Sequence, residues 1–318
     1  MPIKSVEWYG GSKLVCFVCI WQWVWIYALH RFVSMRLSIH RIVVHTGVWF
    51  NGVEVVVNGK GLLSFFIYCS MCGTFGQKRL PYKKAKPIQL SFLPDKEIVE
   101  VPSEGKILNL NTWTGKYAGI LTSEKQDEYS WGLFGFTPFW AKKKMFLFNA
   151  RVEGDFNKEN NPAFSGEKGI FKKPSFRNAI KSRRCIIPMD FFVEGPEKEK
   201  YAKPYLIHRK DSEVFFAGGI YEEWVDKDTG EVFTTFSILT TSATPLLQKV
   251  GHHRSPLLLE PEIIPQWLDS STDVEVIKPM LAPADTLDFE AYPIDAGIVK
   301  SKANDPSIET PLGDSFSQ

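Results

Sequence analysis

Apolar positions along the 318-residue chain follow two regimes that meet near residue 70. Residues 14–29 (LVCFVCIWQWVWIYAL) form an apolar run broken only by Gln22. It is shorter than the roughly 20 residues a membrane-spanning helix needs. Lys13 before it and Arg31, Arg36 and Arg41 after it give no one-sided charge bias, and no small-x-small cleavage pattern follows. Further on, the runs Ile42-Val43-Val44, 53–57 (VEVVV) and Phe65-Phe66-Ile67-Tyr68 favour strands, spaced by Asn-Gly and Gly-Lys-Gly turn signals. With so little polar punctuation this segment would aggregate unless covered or embedded.

From Met71 onward polar and turn residues interrupt the pattern at ordinary intervals. Residues 81–105 are rich in Lys and Pro and predict a surface loop. Residues 129–139 (YSWGLFGFTPF) and 145–152 (MFLFNARV) read as strands or extended core segments. Residues 175–182 (SFRNAIKS) predict a short helix with Ser175 as its N-cap. Residues 184–194 (RCIIPMDFFVE), 204–209, 214–224 and 234–241 are rich in β-branched and aromatic side chains and predict strands, with a hairpin loop at 226–230. Short helices are expected at 244–250 and 261–268, and an irregular tail after 303. No internal repeat is visible. The expected class is α+β: one domain built on a mostly antiparallel twisted sheet or open barrel, with short flanking helices.

Composition sharpens the boundary. Residues 1–70 hold 42 hydrophobic residues, five of the ten Trp, three of the five Cys, one Pro and no Asp, and six Lys/Arg against two Glu leave them at net +4. Residues 71–318 hold 32 Lys/Arg and 34 Asp/Glu, net −2, with 19 of the 20 Pro. The expected division is therefore an atypical hydrophobic extension, 1–70, ahead of a globular domain, 71–318. The whole composition excludes collagen, a disulfide miniprotein and a largely disordered chain. An overall charge of +2 leaves nucleic acid open, because binding needs only a local basic face.

Two CxxC pairs, Cys16/Cys19 and Cys69/Cys72, lack the short turn-rich knuckles of a zinc site and are read as chance spacings. No metal and no cofactor is expected. Cys185 lies in an apolar strand and reads as a structural thiol, whereas Cys72 is flanked by small residues and accessible. His208 reads as structural; His252 and His253 precede a turn from which a side chain can reach a pocket. Asn149 and Glu194 each follow an apolar run, at positions that suit either the surface or an active site. A Cys, an Asn, a Glu and a His on four segments carry little alone.

Their order and surroundings carry more. The series runs Met71-Cys72-Gly73-Thr74-Phe75, Trp131-Gly132-Leu133, Pro138-Phe139-Trp140-Ala141-Lys142 and Asn149-Ala150-Arg151-Val152-Glu153. It continues through Ser175-Phe176-Arg177, Arg183-Arg184-Cys185-Ile186-Ile187-Pro188, Phe192-Val193-Glu194, Phe216-Ala217-Gly218-Gly219, Thr240-Thr241-Ser242 and His252-His253-Arg254-Ser255-Pro256. In this order the motifs closely resemble the SRAP family, the SOS-response-associated peptidases or abasic-site processing proteins, over essentially all of 71–318.

The resemblance implies a sensor of abasic sites in single-stranded DNA that traps them covalently through an N-terminal cysteine. The chemistry accounts for the residue type. A ring-opened abasic sugar is an aldehyde; an α-amine of pKa about 7.7–8.0 is partly neutral near pH 7 and forms a Schiff base with it. The thiol of the same residue then closes to a thiazolidine, intramolecularly and hence at high effective concentration. The implied roles are Cys72 as nucleophile, Asn149 holding the terminal residue and the sugar, Glu194 moving protons and His252 protonating the ring oxygen. Peptidase and β-elimination lyase activities are implied by the same constellation. Implied DNA contacts are Arg151, Arg254, Arg177 and Arg184 on phosphates, with Lys142–Lys144 and Arg183 as further candidates, and Trp131, Phe139 and Trp140 as stacking surfaces. The implied partner is abasic single-stranded DNA, met by a monomer in the cytoplasm and on the nucleoid after damage, with no membrane role.

Four departures accompany the resemblance. Thr74 stands where the family usually has Arg, Ser255 where it has Met, Gly195 where many members have Trp, and the Trp131–Trp140 interval is slightly long. The extension is a fifth: with residues ahead of it Cys72 has an amide nitrogen, which forms no Schiff base. Met71 as the true start, cleavage after Met71, and an inactive tethered variant are the three accounts, and the compositional seam favours the first. Two other function classes stay open: a cysteine peptidase using Cys72 and His252 on protein substrates, and a non-catalytic single-stranded-DNA-binding module.

Overall fold

The computed structural model describes residues 6–7, 13–14, 53–57, 63–67, 73–78, 80 and 109–317, except 127, 162 and 283–286. The chain divides into two compact units, Met1–Cys69 and Ser70–Gln318. In the first, β1 (Val6–Glu7) pairs with β2 (Lys13–Leu14), and β3 (Val53–Val57) with β4 (Leu63–Ile67), both antiparallel. The expected strand at 53–57 is thus present. The rest of the apolar run, the 42–44 run, both CxxC pairs and the Lys/Pro-rich 81–105 stretch lie outside the described residues.

The second unit begins with β5 (Thr74–Gly76), β6 (Thr112–Trp113), β7 (Tyr117–Thr122), β8 (Ser130–Phe134) and β9 (Asn149–Arg151). After α1 (Ala179–Ser182) come β10 (Arg184–Met189), β11 (Phe191–Glu194), β12 (Tyr205–Arg209), β13 (Phe215–Val225) and β14 (Val232–Ser242). Then follow α2 (Pro245–Val250), β15 (Arg254–Pro256), β16 (Leu258–Leu259), α3 (Ile264–Leu268), α4 (Val274–Met280), β17 (Phe289–Pro293), α5 (Ala296–Ser301) and β18 (Phe316–Ser317).

Strands β14, β8, β7, β10 and β13 close on one another as a five-strand barrel, because β13 also pairs with β14. Every pairing in the ring is antiparallel except β14–β8. The barrel strands are buried on both faces, so they read as continuous apolar runs rather than alternating ones. One face feeds a cluster with Ile120, Phe134, Ile187, Tyr221, Phe236 and Ile238. The other packs Leu121, Ile186, Phe216, Ile220 and Leu239 against Ile264, Trp267 and Leu268 of α3. Gly219 marks the tightest crossing: a Cβ there would lie 2.5 Å from Ile187 Cδ1 and 2.8 Å from the Ser237 carbonyl.

A second sheet, in the order β18-β17-β12-β11-β5-β6, is antiparallel throughout. Its residues alternate between two clusters. Phe75, Phe192 and Ile207 face the barrel's cluster, while Phe191, Val193 and Leu206 face one that includes Tyr201, Ile294, Val299 and Ile308.

The architecture is the expected α+β one, with local differences. Residues 184–194 form two strands, not one: Asp190 breaks the run, accepting from the Lys78 amide at 2.6 Å, and the chain passes from the barrel into the second sheet. The helix expected from Ser175 begins at Ala179 with Asn178 as a cap that makes no side-chain bond, and residues 174–178 are turns. The tail is not wholly irregular: β18 pairs with β17, and the Phe316 ring meets Tyr205 at 5.7 Å.

Candidate active site

Glu194 ends β11, fully buried, on the same face of the strand as Phe192. His252 reaches it from another element. Helix α2 starts at the N-cap Thr244 and stops at Gly251, whose φ of 86° places it in the left-handed region. A side chain there would be strained and would crowd Pro196 at 3.3 Å. That turn swings His252 into the loop after β11. Its Nδ1 lies 2.9 Å from the Gly195 carbonyl, and its Nε2 faces Glu194 Oε2 at 3.6 Å, with both side chains buried.

This geometry assigns protons. A carbonyl only accepts, so Nδ1 carries hydrogen and donates to Gly195. The buried Nε2 has no hydrogen-bond partner among the described residues, and Glu194 Oε2 at 3.6 Å is its nearby carboxylate oxygen. His253 stacks on His252 with centroids 5.2 Å apart, and its Nδ1 lies 3.0 Å from Glu197 Oε2. Burial, and then the charges of His252, Arg254 and Arg151, hold the His253 pKa below its ordinary value against the opposing pull of Glu197.

Strand β14 brings the next residues together. On one side it runs parallel to β9, with Ile238 opposite Asn149 and Thr240 opposite Arg151. On its other side β15 pairs antiparallel, with Ser242 opposite Arg254. Asn149 has its amide buried, and neither Nδ2 nor Oδ1 has a hydrogen-bond partner among the described residues. Arg254 is fully buried. Its Nη2 donates to Glu153 Oε2 at 2.7 Å and to the Thr240 carbonyl at 2.6 Å, while Nε and Nη1 find no partner among the described residues. Arg151 Nη2 donates to the Asn157 carbonyl at 2.6 Å and to Asn160 Oδ1 at 2.5 Å, fastening the loop after β9.

Cys72 lies outside the described residues; the chain is described from Gly73, which precedes β5. Val193 on β11 pairs with Thr74, so the segment that follows Cys72 runs beside the strand ending in Glu194. Thr74, the departure from Arg, is buried, and its Oγ1 donates to Asn111 Oδ1 at 2.8 Å. It offers nothing to a phosphate.

The expected DNA-facing residues divide. Trp140 is 49% exposed and Phe139 56%, beside exposed Lys142 and Lys143. Trp131 is half-buried and Arg177 exposed. Lys144 is turned back, its Nζ 3.5 Å from the centre of the Phe233 ring, and Arg183 pairs with Glu222 at 2.8 Å. Arg184 does not belong with them. It is fully buried and donates to the carbonyls of Trp267 (2.6 Å), Asp269 (2.5 Å), Ile180 (3.2 Å) and Lys181. Burial lowers its pKa to about 10, which leaves it charged at neutral pH. The expectation of a phosphate contact at Arg184 is corrected: this guanidinium ties α1 and α3 to the barrel. Sequence reasoning also missed Glu153 and Tyr201. Glu153 stands inside the Asn149 motif, a position that could have pointed to it; Tyr201 carries no such signal.

Among the described residues no group of three or more His, Cys, Asp or Glu could hold a metal ion, and no helix is long and apolar enough to cross a membrane.

A closed five-strand barrel beside an antiparallel sheet, carrying buried acid, imidazole, amide and guanidinium groups, defines the class of the domain as α+β. The family model for SOS response associated peptidase (SRAP) matches residues 71–301, and the chain belongs to that family. It is 33% identical over 183 residues to the abasic site processing protein YoqW of Bacillus subtilis (strain 168), a match covering 56% of this chain and 73% of that one. It is 35% identical over 141 residues to the abasic site processing protein YobE of the same organism, covering 44% and 61%. A crystal structure of a Bacteroides thetaiotaomicron protein superposes with a TM-score of 0.53 at 33% identity, over 63% of this chain and 82% of that one.

Proposed function

We propose that the unit from Ser70 to Gln318 processes abasic sites in single-stranded DNA and captures them through Cys72 as an N-terminal residue. The observation that supports this best is the buried Glu194–His252 pair at the end of the strand beside residues 74–76. The names of the similar Bacillus proteins support the substrate class.

In this reading the Cys72 amine adds to the aldehyde carbon of the opened sugar. The carbinolamine loses water and becomes an imine, and the thiol sulfur then adds to the imine carbon. That last step forms a C–S bond and moves the thiol proton to nitrogen, closing the thiazolidine. The proton transfers suit the Glu194–His252 edge. The unpartnered Asn149 amide and the open edge of Arg254 suit the sugar and a flanking phosphate, with Arg151 beside them. Trp140 and Trp131 suit stacking on unpaired bases, and Arg177 suits a more distant phosphate. The amine must be free, so the working form begins at Cys72, by initiation at Met71 or by cleavage after it.

The test is incubation of chains 1–318 and 71–318, the latter with Met71 removed, with single-stranded DNA holding one abasic site. A gel-stable adduct is expected only when Cys72 is N-terminal, and none with Cys72→Ser. Glu194→Gln should slow adduct formation by about 100-fold. Peptide cleavage without an adduct, or binding that Cys72→Ser leaves untouched with no adduct, overturns the proposal.

A further inference from the structure

The segment that follows Cys72 is fastened from the face of the second sheet opposite Glu194. The β5–β11 ladder includes Thr74 but not Gly73. The Gly73 amide donates instead to the Tyr201 hydroxyl, 3.1 Å away and buried, although the two residues are 128 apart in sequence. Tyr201 sits in a short 3-10 turn, Lys200–Ala202, between β11 and β12. It belongs to the cluster of Phe191 and Val193, whereas Glu194 alternates to the other face of β11.

Tyr201 is itself braced. Its ring meets the Trp113 ring edge-on at 5.1 Å, and Trp113 Nε1 donates to Asn111 Oδ1 at 2.5 Å. The same oxygen accepts from Thr74 Oγ1, and Asn111 Nδ2 donates to the carbonyls of Ile298 and Val299 at 3.2 Å. Residues 73 and 74 are thus tied at two adjacent points into one network anchored on α5.

A hydrogen bond at this amide does more than satisfy a buried donor. The peptide unit is planar, so the direction of an N–H also sets the plane holding the preceding carbonyl and the preceding Cα. With the Gly73 amide held, one main-chain torsion remains to aim the amine and thiol of the residue before it. Positioning of this kind acts on the rate of a reaction between held groups.

We propose that Tyr201 is a positioning residue that clamps the peptide between Cys72 and Gly73 against the Glu194–His252 edge, setting the rate of capture and not the affinity for DNA. The proposal rests on the reading of the site given above. Thr74 is the second half of the clamp, through its bond to Asn111 Oδ1.

Tyr201→Phe tests it by removing one oxygen from a ring that keeps its packing. On the full chain, hydrogen exchange of the Gly73 amide should rise about tenfold while the thermal midpoint falls by only a few degrees. On the chain starting at Cys72, the saturating rate of adduct formation should fall about fivefold to tenfold. The DNA concentration giving half that rate should stay within about twofold, since no group facing DNA changes. Unchanged Gly73 exchange, an unchanged saturating rate, or a loss expressed only as weaker DNA binding overturns the clamp. If the unsubstituted chain forms no adduct, the reading of the site fails and takes the catalytic consequence with it. The Gly73 exchange then still decides whether the clamp exists.

Discussion

Two buried arginines, in two regions of the same barrel, show how a structural charge differs from one kept for a ligand. Around Arg184 the guanidinium donates to four backbone carbonyls from α1, α3 and the turn after α3, and the Trp267 ring lies 5.7 Å away. Around Arg254 Nη2 is engaged by Glu153 and the Thr240 carbonyl, while Nε and Nη1 have no partner among the described residues. Burying an unpaired donor costs about 1–3 kcal/mol, so folding alone favours the first arrangement and works against the second. The second arrangement suits a group that binds a ligand, the role proposed for Arg254.

The contrast can be broken most forcefully at Arg184. Arg184→Met leaves four carbonyls without their donor and should lower stability by about 3 kcal/mol or more, read as a fall in the thermal midpoint. Adduct formation per folded molecule should not change. Loss of capture in molecules that remain folded would return Arg184 to the DNA face.

At Arg254 the expected pattern is reversed. Arg254→Met alone would strand the Glu153 carboxylate, so the informative variant is Glu153→Gln with Arg254→Met, which removes both charges together. Its stability should change by about 1 kcal/mol, while the rate of capture at low DNA concentration falls at least about tenfold. Its binding should also depend less steeply on salt, by about one phosphate contact. A double variant that captures DNA normally would make the pair structural.

Much of this architecture was legible along the chain, and the exceptions have physical causes. Strands β13 and β14 announce themselves as long β-branched and aromatic runs around the 226–230 loop. Strand β7 does not, because Gly119 depresses the pattern; it stands where Leu80 presses on the backbone, at 2.8 Å from any added Cβ. Strand β18 is two residues long and exists through its pairing with β17, which local propensity does not record. The motif order pointed to Glu194, His252 and Asn149 as candidates, and the first two do lie side by side. That Arg184 differs from Arg254 was not legible, since its deciding partners, Trp267 and Asp269, lie 83 and 85 residues away. Tyr201 was invisible for the same reason.

Asn149 sharpens the comparison from the neutral side. Its amide atoms are buried and unpartnered among the described residues, so replacing them with carbon should relieve a cost. Asn149→Leu is expected to raise stability by about 1 kcal/mol and to slow capture by about tenfold, measured by thermal denaturation and adduct kinetics. A destabilised variant would mean that the amide serves the fold.

The smallest effect concerns His253, which sits against His252 on one side and Glu197 on the other. Its pKa is held below the ordinary value, mainly by burial, so the folded chain binds fewer protons here than the unfolded chain as the pH drops below about 6.5. The stability linked to this group is therefore present above that value and is lost as the pH falls through the lowered folded value. His253→Gln should flatten the acid side of the thermal midpoint between about pH 7 and pH 5, and it should leave the alkaline side unchanged. Because the His253 ring also covers His252, the acid limb of the capture rate should move with it. A shift in stability alone would confine His253 to the fold. A shift in both would extend the contrast between the two arginines to the histidines, with His252 kept for chemistry and His253 holding it in place.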